Sequence, residues 1–211
     1  MAKTKTPITI GIDEVGRGAL AGPVTVAALA LPQKSNIKNQ ISKLRFKNKR
    51  LFLKDSKGLT SAQREIIFKF LKREKIPYAV AGVSPKIIDK INISQAANLA
   101  AGRAFQKLTT DNRQIKNCEI FLDGGLYLPE NNKIKNLKPK TVVRGDEKIP
   151  AIALASIAAK VTRDRYMKKL HKKYPHYDFI NNVGYGAKKH ITAVKKYGRS
   201  LVHRKSFKIK N

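Results

Sequence analysis

The segment Ile8-Thr9-Ile10-Gly11-Ile12-Asp13-Glu14-Val15-Gly16-Arg17-Gly18 constrains the fold more than any other part of this chain. Its first residues alternate like a strand with one buried face. That strand, from Ile8 to about Asp13, delivers two adjacent carboxylates and then breaks in a Gly-Arg-Gly turn. After a second turn, Ala21-Gly22-Pro23, comes the apolar run Val24 to Leu31, long enough for a strand and too short to span a bilayer. Two strands in direct succession, followed by strands that alternate with helices, argue for α/β architecture on a mixed sheet.

The rest of the pattern fits that frame. Residues 33–50 are rich in lysine and poor in periodicity, and read as a loop or a surface helix. Thr60 opens a helix with Gln63 three residues on, as in a capping box, and Pro77 ends it. Tyr78 to Val83 is a strand. Ser84-Pro85 starts a short helix, and Ser94 starts another that runs to about Leu108. Glu119 to Leu122 and Thr141 to Val143 are short strands that run into Asp123-Gly124-Gly125 and Arg144-Gly145-Asp146. Pro150 begins a long helix toward His171, and a last helix runs from Ala187 to about Tyr197, with Gly198 at its C-terminal cap.

Charge gives the acids their meaning. Lys and Arg total 45 against 14 Asp and Glu among 211 residues, a formal net charge of +31. Such a balance predicts a nucleic-acid partner ahead of an anionic membrane surface. An abundance of Lys, Ile and Asn also fits a compositional bias with no binding role. At 42% hydrophobic residues the chain can build a core as one domain. The single cysteine, Cys118, excludes an intrachain disulfide and a multi-cysteine zinc site, and its apolar neighbours place it as a buried thiol. No secretory signal or membrane span is legible, so a soluble, cytoplasmic protein is expected.

Three strand-like segments end in acid: Asp13-Glu14, Asp123 and Asp146. If their strands are neighbours, four carboxylates converge and repel one another. A divalent cation relieves that repulsion, and two metals ~3.5–4 Å apart are the recurring arrangement in nucleases. Taken singly, Asp123 is also a turn residue and Asp146 a helix cap. Asp164, between two arginines, reads as a member of a helix-surface ion pair. Asp55 precedes Ser56-Lys57, which looks like an anion-binding loop.

These residues resemble the ribonuclease HII family, the type 2 ribonucleases H. The resemblance rests on Gly11 to Gly18, Ala21-Gly22-Pro23-Val24, Asp55-Ser56-Lys57-Gly58-Leu59-Thr60 and Leu122-Asp123-Gly124. It continues through Arg144-Gly145-Asp146, Ala155 to Asp164, Asn182-Val183-Gly184-Tyr185-Gly186 with His190, and His203-Arg204-Lys205-Ser206-Phe207. The resemblance implies a ribonuclease H-like fold: a central mixed β-sheet flanked by helices, in one catalytic domain over residues 1–211 with a helical C-terminal extension from about residue 166. It implies an endonuclease that hydrolyses the RNA strand of RNA–DNA hybrids and cuts at single ribonucleotides embedded in duplex DNA; a monomer is expected. Two-metal hydrolysis with Mn²⁺ or Mg²⁺, leaving 5′-phosphate and 3′-hydroxyl ends, goes with it. The family's metal ligands fall on Asp13, Glu14, Asp123 and Asp146, its junction-reading turn on Gly16, Arg17 and Gly18, its junction tyrosine on Tyr185, and a phosphate-contacting lysine on Lys57. The chain departs from the family pattern in a longer basic segment at 33–50, in Gly58 and in Leu154, none of them a ligand position.

Read from the residues alone, the glycines at 16 and 18 would let backbone groups reach a 2′-hydroxyl, the group that separates RNA from DNA. Tyr185 between two glycines fits a stacking residue on an exposed loop, or an ordinary half-buried tyrosine. Ser156, Lys160 and Arg163 share a helix face by spacing, which suits either phosphate contacts or a solvated polar face. His190 is a candidate proton carrier or a helix-surface histidine. The alternative to an enzyme is a non-catalytic basic RNA-binding protein, for which four converging acids have no use. A nuclease of the same fold acting on DNA junctions is the other rival.

Overall fold

The structure, a computed structural model, describes residues 7–53, 58–112, 118–128 and 137–209. Its strands are β1 (Ile8–Val15), β2 (Val24–Pro32), β3 (Arg45–Phe46), β4 (Lys49–Arg50), β5 (Tyr78–Val83), β6 (Cys118–Asp123) and β7 (Lys140–Val142). Its helices are α1 (Ile37–Ser42), α2 (Ser61–Arg73), α3 (Pro85–Ile91), α4 (Ile93–Asp111), α5 (Gly145–Lys148), α6 (Pro150–Lys173), α7 (Phe179–Asn182) and α8 (Lys188–Tyr197). Five strands form one mixed sheet in the order β5-β2-β1-β6-β7. β1 is antiparallel to β2 and parallel to β6, so the expected mixed sheet is the one observed.

Each face of the sheet carries its own core. Ile10, Ile12, Val26 and Ala28 pack against the small residues of α4, Ala97, Ala100, Ala101 and Ala104. Ala27, Leu29 and Leu31 pack on the opposite face against α6 and α2. That is why β2 reads as an unbroken apolar run: both of its faces are covered. Gly11 lets α6 lie on β1, since a Cβ there would stand 2.1 Å from the carbonyl carbon of Ala151. A third cluster, built from Met167, Leu170, Tyr177, Phe179, Ala193 and Val194, seats the C-terminal helices on Ala21.

Local signals mark the starts of α2, α3, α4 and α6, by a side-chain cap or a proline in the first turn. Thr60 and Gln63 form the expected capping box, with reciprocal bonds of 3.3 and 2.7 Å. α4 begins earlier than the sequence suggested. Asn92, at φ +65°, caps it by accepting the Gln95 N–H at 3.0 Å, which frees Ser94 for another partner. The basic segment is neither plain loop nor plain helix. It makes α1 and the small β3–β4 hairpin, and Ile37 and Ile41 of α1 are buried against the α6 face of the sheet. Cys118 is half-buried rather than buried, at the start of β6. Among the described residues no helix is long and apolar enough to cross a membrane.

Candidate functional site

β1 brings Asp13 and Glu14 to one end of the sheet, where alternation sends them to opposite faces. Asp13 turns toward α6. Its carboxyl is buried beside the Ser156 hydroxyl, and its Oδ1 accepts the Glu14 N–H at 2.7 Å. Glu14 lies on the α4 side. Arg17 Nη1 donates to its Oε1 at 3.2 Å, while Nη2 donates to Ser94 on α4 at 2.9 Å. Glu14 Oε2 is buried with no hydrogen-bond partner among the described residues.

Ile12 pairs with Leu122 in the parallel ladder, so Asp123 ends β6 at the level of Asp13. Its charge acts on both Asp13 and Glu14. Asp123 Oδ1 accepts the Gly145 N–H at 2.7 Å, which ties the end of β6 to the residue before Asp146. A Cβ at Gly145 would crowd that approach, standing 2.6 Å from Ile152 Cδ1 and 3.3 Å from Asp123 Oδ1. Arg144 turns the chain through the left-handed region, φ +55°, and Asp146 follows in α5, buried.

Burial dominates the electrostatics. It pushes the Asp13 carboxyl from 3.8 up to about 7, helped by the charges of Glu14 and Asp123 and opposed by Ser156. Burial also raises Glu14, against the pull of Arg17. Buried acids with raised affinity for protons also favour a cation, and the all-oxygen donor set with an unpaired Glu14 oxygen suits a hard divalent ion. Among the described residues no group of three or more His, Cys, Asp or Glu is arranged to hold a metal ion by itself. Ions such as Mg²⁺ commonly take one or two carboxylates and complete their shell with water and substrate phosphate.

Beside the acids lie two loops. The turn after β1 places Gly16 at φ +84°, buried, with Arg17 half-buried and Gly18 exposed. Tyr185 follows Gly184 at φ +86° and is 37% exposed. The loops touch: the Gly184 carbonyl accepts the Leu20 N–H at 2.7 Å and the Ala21 N–H at 3.2 Å.

The face expected to join Ser156, Lys160 and Arg163 is not a solvated surface. Ser156 and Arg163 are each 1% exposed, because β1 covers one flank of α6 and the C-terminal segment the next. The Arg163 guanidinium donates to the carbonyls of Pro23, Val183 and Ala21 at 3.1, 2.8 and 3.1 Å, leaving no room for a phosphate. It also lies 5.5 Å from the Tyr185 ring centroid, close enough for a cation–π contact. Lys160 is half-buried. Asp164 makes an ion pair, as expected, though its partner is Arg64 on α2 at 3.4 Å rather than a flanking arginine. His190 is fully buried, so it is not a helix-surface histidine. Asp55, Ser56 and Lys57 lie outside the described residues. Sequence reasoning missed the structural role of Arg204, which is 1% exposed and donates to the carbonyls of Gly22, Arg17 and Gly16.

Residues 10–210 match the family model described as Ribonuclease HII. The chain is 43% identical over 200 residues to a ribonuclease HII of Pelagibacter ubique, covering 95% of each chain. It is 43% identical over 199 residues to one of Endomicrobium trichonymphae, covering 93% of this chain and 83% of that one. Among solved structures, the ribonuclease H2 of Pyrococcus horikoshii superposes with a TM-score of 0.70 at 26% identity, over 96% of this chain and 94% of that one.

Proposed function

This chain belongs to the ribonuclease HII family, and from that premise we propose that it is a metal-dependent endonuclease. It hydrolyses the RNA strand of RNA–DNA hybrids and cuts at single ribonucleotides embedded in duplex DNA. The observation that carries the reading is the set of strand ends. Inside a protein of charge +31, β1, β6 and the turn after β7 each supply acid to one end of the sheet, and the Asp13 carboxyl there is buried enough to titrate at about 7.

In this reading Asp13, Glu14, Asp123 and Asp146 hold Mn²⁺ or Mg²⁺. The bound metals supply a water of lowered pKa and stabilise the leaving oxygen. The chain's own residues do the rest. Arg17 neutralises one Glu14 oxygen and leaves the other for coordination. The Gly145 N–H fixes the orientation of Asp123. The exposed backbone at Gly18 offers itself to a 2′-hydroxyl, and Tyr185 offers an aromatic face and a hydroxyl to the adjoining sugar. Residues 1–211 act as one catalytic domain, with the helices after about residue 166 forming the wall that carries Tyr185.

The test is cleavage of a DNA duplex carrying one ribonucleotide, and of a long hybrid, with and without Mn²⁺. Metal-dependent cutting of both, with 5′-phosphate products, is expected. Binding of both without cutting in saturating metal would leave a basic binding protein instead.

A further inference from the structure

Two buried histidines and two buried arginines sit behind the recognition loops. His190 Nδ1 lies 2.7 Å from the Tyr185 carbonyl oxygen, and His190 Nε2 lies 3.0 Å from His203 Nε2. A carbonyl only accepts, so His190 carries its proton on Nδ1, and its Nε2 must accept from His203 Nε2–H. His203 Nδ1 then accepts, which agrees with the Ser200 N–H at 3.0 Å and the Ser200 hydroxyl at 2.9 Å. One arrangement of protons satisfies the whole chain, and both rings in it are neutral. The next residue, Arg204, donates from Nη1 to the Arg17 carbonyl at 2.8 Å, from Nη2 to the Gly16 carbonyl at 2.6 Å and from Nε to the Gly22 carbonyl at 3.1 Å. Arg163 links the Val183 carbonyl, two residues before Tyr185, to the carbonyls of Ala21 and Pro23.

We propose that the adjacent residues His203 and Arg204, acting through His190, form a clasp that sets the Gly16–Gly18 turn and the Tyr185 loop in register, and so are positioning residues for recognition of a single ribonucleotide. The inference rests on the reading that those two loops contact the ribonucleotide. Arg204 takes the carbonyls of Gly16 and Arg17 inward. His203 holds the Tyr185 loop through one intervening ring. Because the two clasp residues are consecutive, displacement of either loop strains the hold on the other. A lone ribonucleotide presents one 2′-hydroxyl and needs both loops at once, whereas a long hybrid offers many registers. The groups around the pair reinforce its neutrality. Tyr177 and Phe179 pack their rings against both histidines, and Arg199 and His176 act on His203 with like charge. Burial pushes His203 down to about 4 and also lowers His190.

The test compares kcat/KM on a single-ribonucleotide duplex with kcat/KM on a long hybrid for the full chain and for H190F, H190N, R204K and Y185A. Asn keeps an N–H near the Nδ1 position, and Phe keeps the ring without it. H190F and R204K are expected to lower the single-ribonucleotide to hybrid ratio about tenfold, the loss expected for a strong hydrogen bond. H190N is expected to restore the ratio to within about twofold of the unsubstituted chain. Equal losses on both substrates, or H190N behaving like H190F, would overturn the clasp. An unchanged ratio in Y185A would instead remove the recognition reading beneath it. A second measurement needs no substitution: ¹⁵N spectra of the imidazoles in the unsubstituted protein. Two neutral rings at pH about 6, His190 protonated on Nδ1 and His203 on Nε2, are expected; the reverse tautomers, or a ring titrating at the ordinary histidine value, would overturn the arrangement even if the variants fail to fold.

Discussion

Asp13 carries a charge that its surroundings oppose. In the metal-free protein its carboxyl titrates at about 7 against an ordinary 3.8, so the folded state binds the proton more tightly than the unfolded state does. Ionised Asp13 therefore costs stability above pH 7, and the cost disappears as pH falls toward 4. The Asp13→Asn variant is expected to be more stable than the unsubstituted protein at pH 8 without metal, by on the order of 2–4 kcal/mol. The difference should close between pH 7 and 4 in thermal unfolding followed by circular dichroism. The same variant should lose cleavage while still binding a hybrid, since the cationic surface is intact. Equal stability at pH 8 would mean that the Asp13 charge is already compensated. His203 runs in the opposite direction. Its folded value of about 4 lies below the ordinary 6.5, so its contribution is present above pH 6.5 and is lost as pH falls toward 4.

At the scale of elements, the site depends on how closely α6 lies on β1. Gly11 permits that approach, and its Cβ would overlap the Ala151 backbone, which a helix cannot move aside cheaply. Gly11→Ala is expected to destabilise the fold by about 3 kcal/mol or more, measured by urea unfolding, and to lower cleavage by displacing Asp13 from Ser156. A loss under about 1 kcal/mol would show that α6 shifts freely on the sheet. The strands of the sheet and the long helix were legible because their apolar periodicity, turn residues and caps agree with one another. The acid-bearing ends of β1 and β6 were legible for the same reason, whereas Asp146, read at the end of a strand, lies in α5 after β7. Arg163 and Arg204 were not. A sequence shows an arginine's charge, but their partners here are backbone carbonyls 20 to 188 residues away. His190 and His203 were illegible in the same sense, because their mutual contact crosses from α8 to the C-terminal segment. Ile37 and Ile41 did carry a helical i, i+4 signal, masked by the lysines around them.

For the molecule as a whole, the acids at one end of the sheet and the +31 net charge pull in different directions. Binding of Mn²⁺ to the native state alone adds stability by mass action, so millimolar Mn²⁺ is expected to raise the melting temperature, and Asp13→Asn to abolish most of that rise. The basic segment divides by position. Lys38 and Ser42 of α1 line a cavity of about 290 Å³ that Asp146 and Glu147 also line, so this end of the segment adjoins the site. Arg45, Lys47, Lys49 and Arg50, in and beside the β3–β4 hairpin, are exposed. Replacing those four with Gln should weaken binding to every duplex alike and reduce the log–log salt slope by about 0.7–0.9 for each phosphate no longer neutralised, up to about 3–4 in all. The cut position should not move, because the acids and the two loops set it. Lys38→Gln should differ, lowering cleavage more than its single charge predicts, since it stands on the wall shared with Asp146. Binding titrations at several salt concentrations, read together with mapped cut sites, separate the two. A shifted cut site in the hairpin variant would place the hairpin in the recognition surface, and an effect of Lys38→Gln no larger than the removal of one phosphate-neutralising charge would make α1 part of the same nonspecific surface.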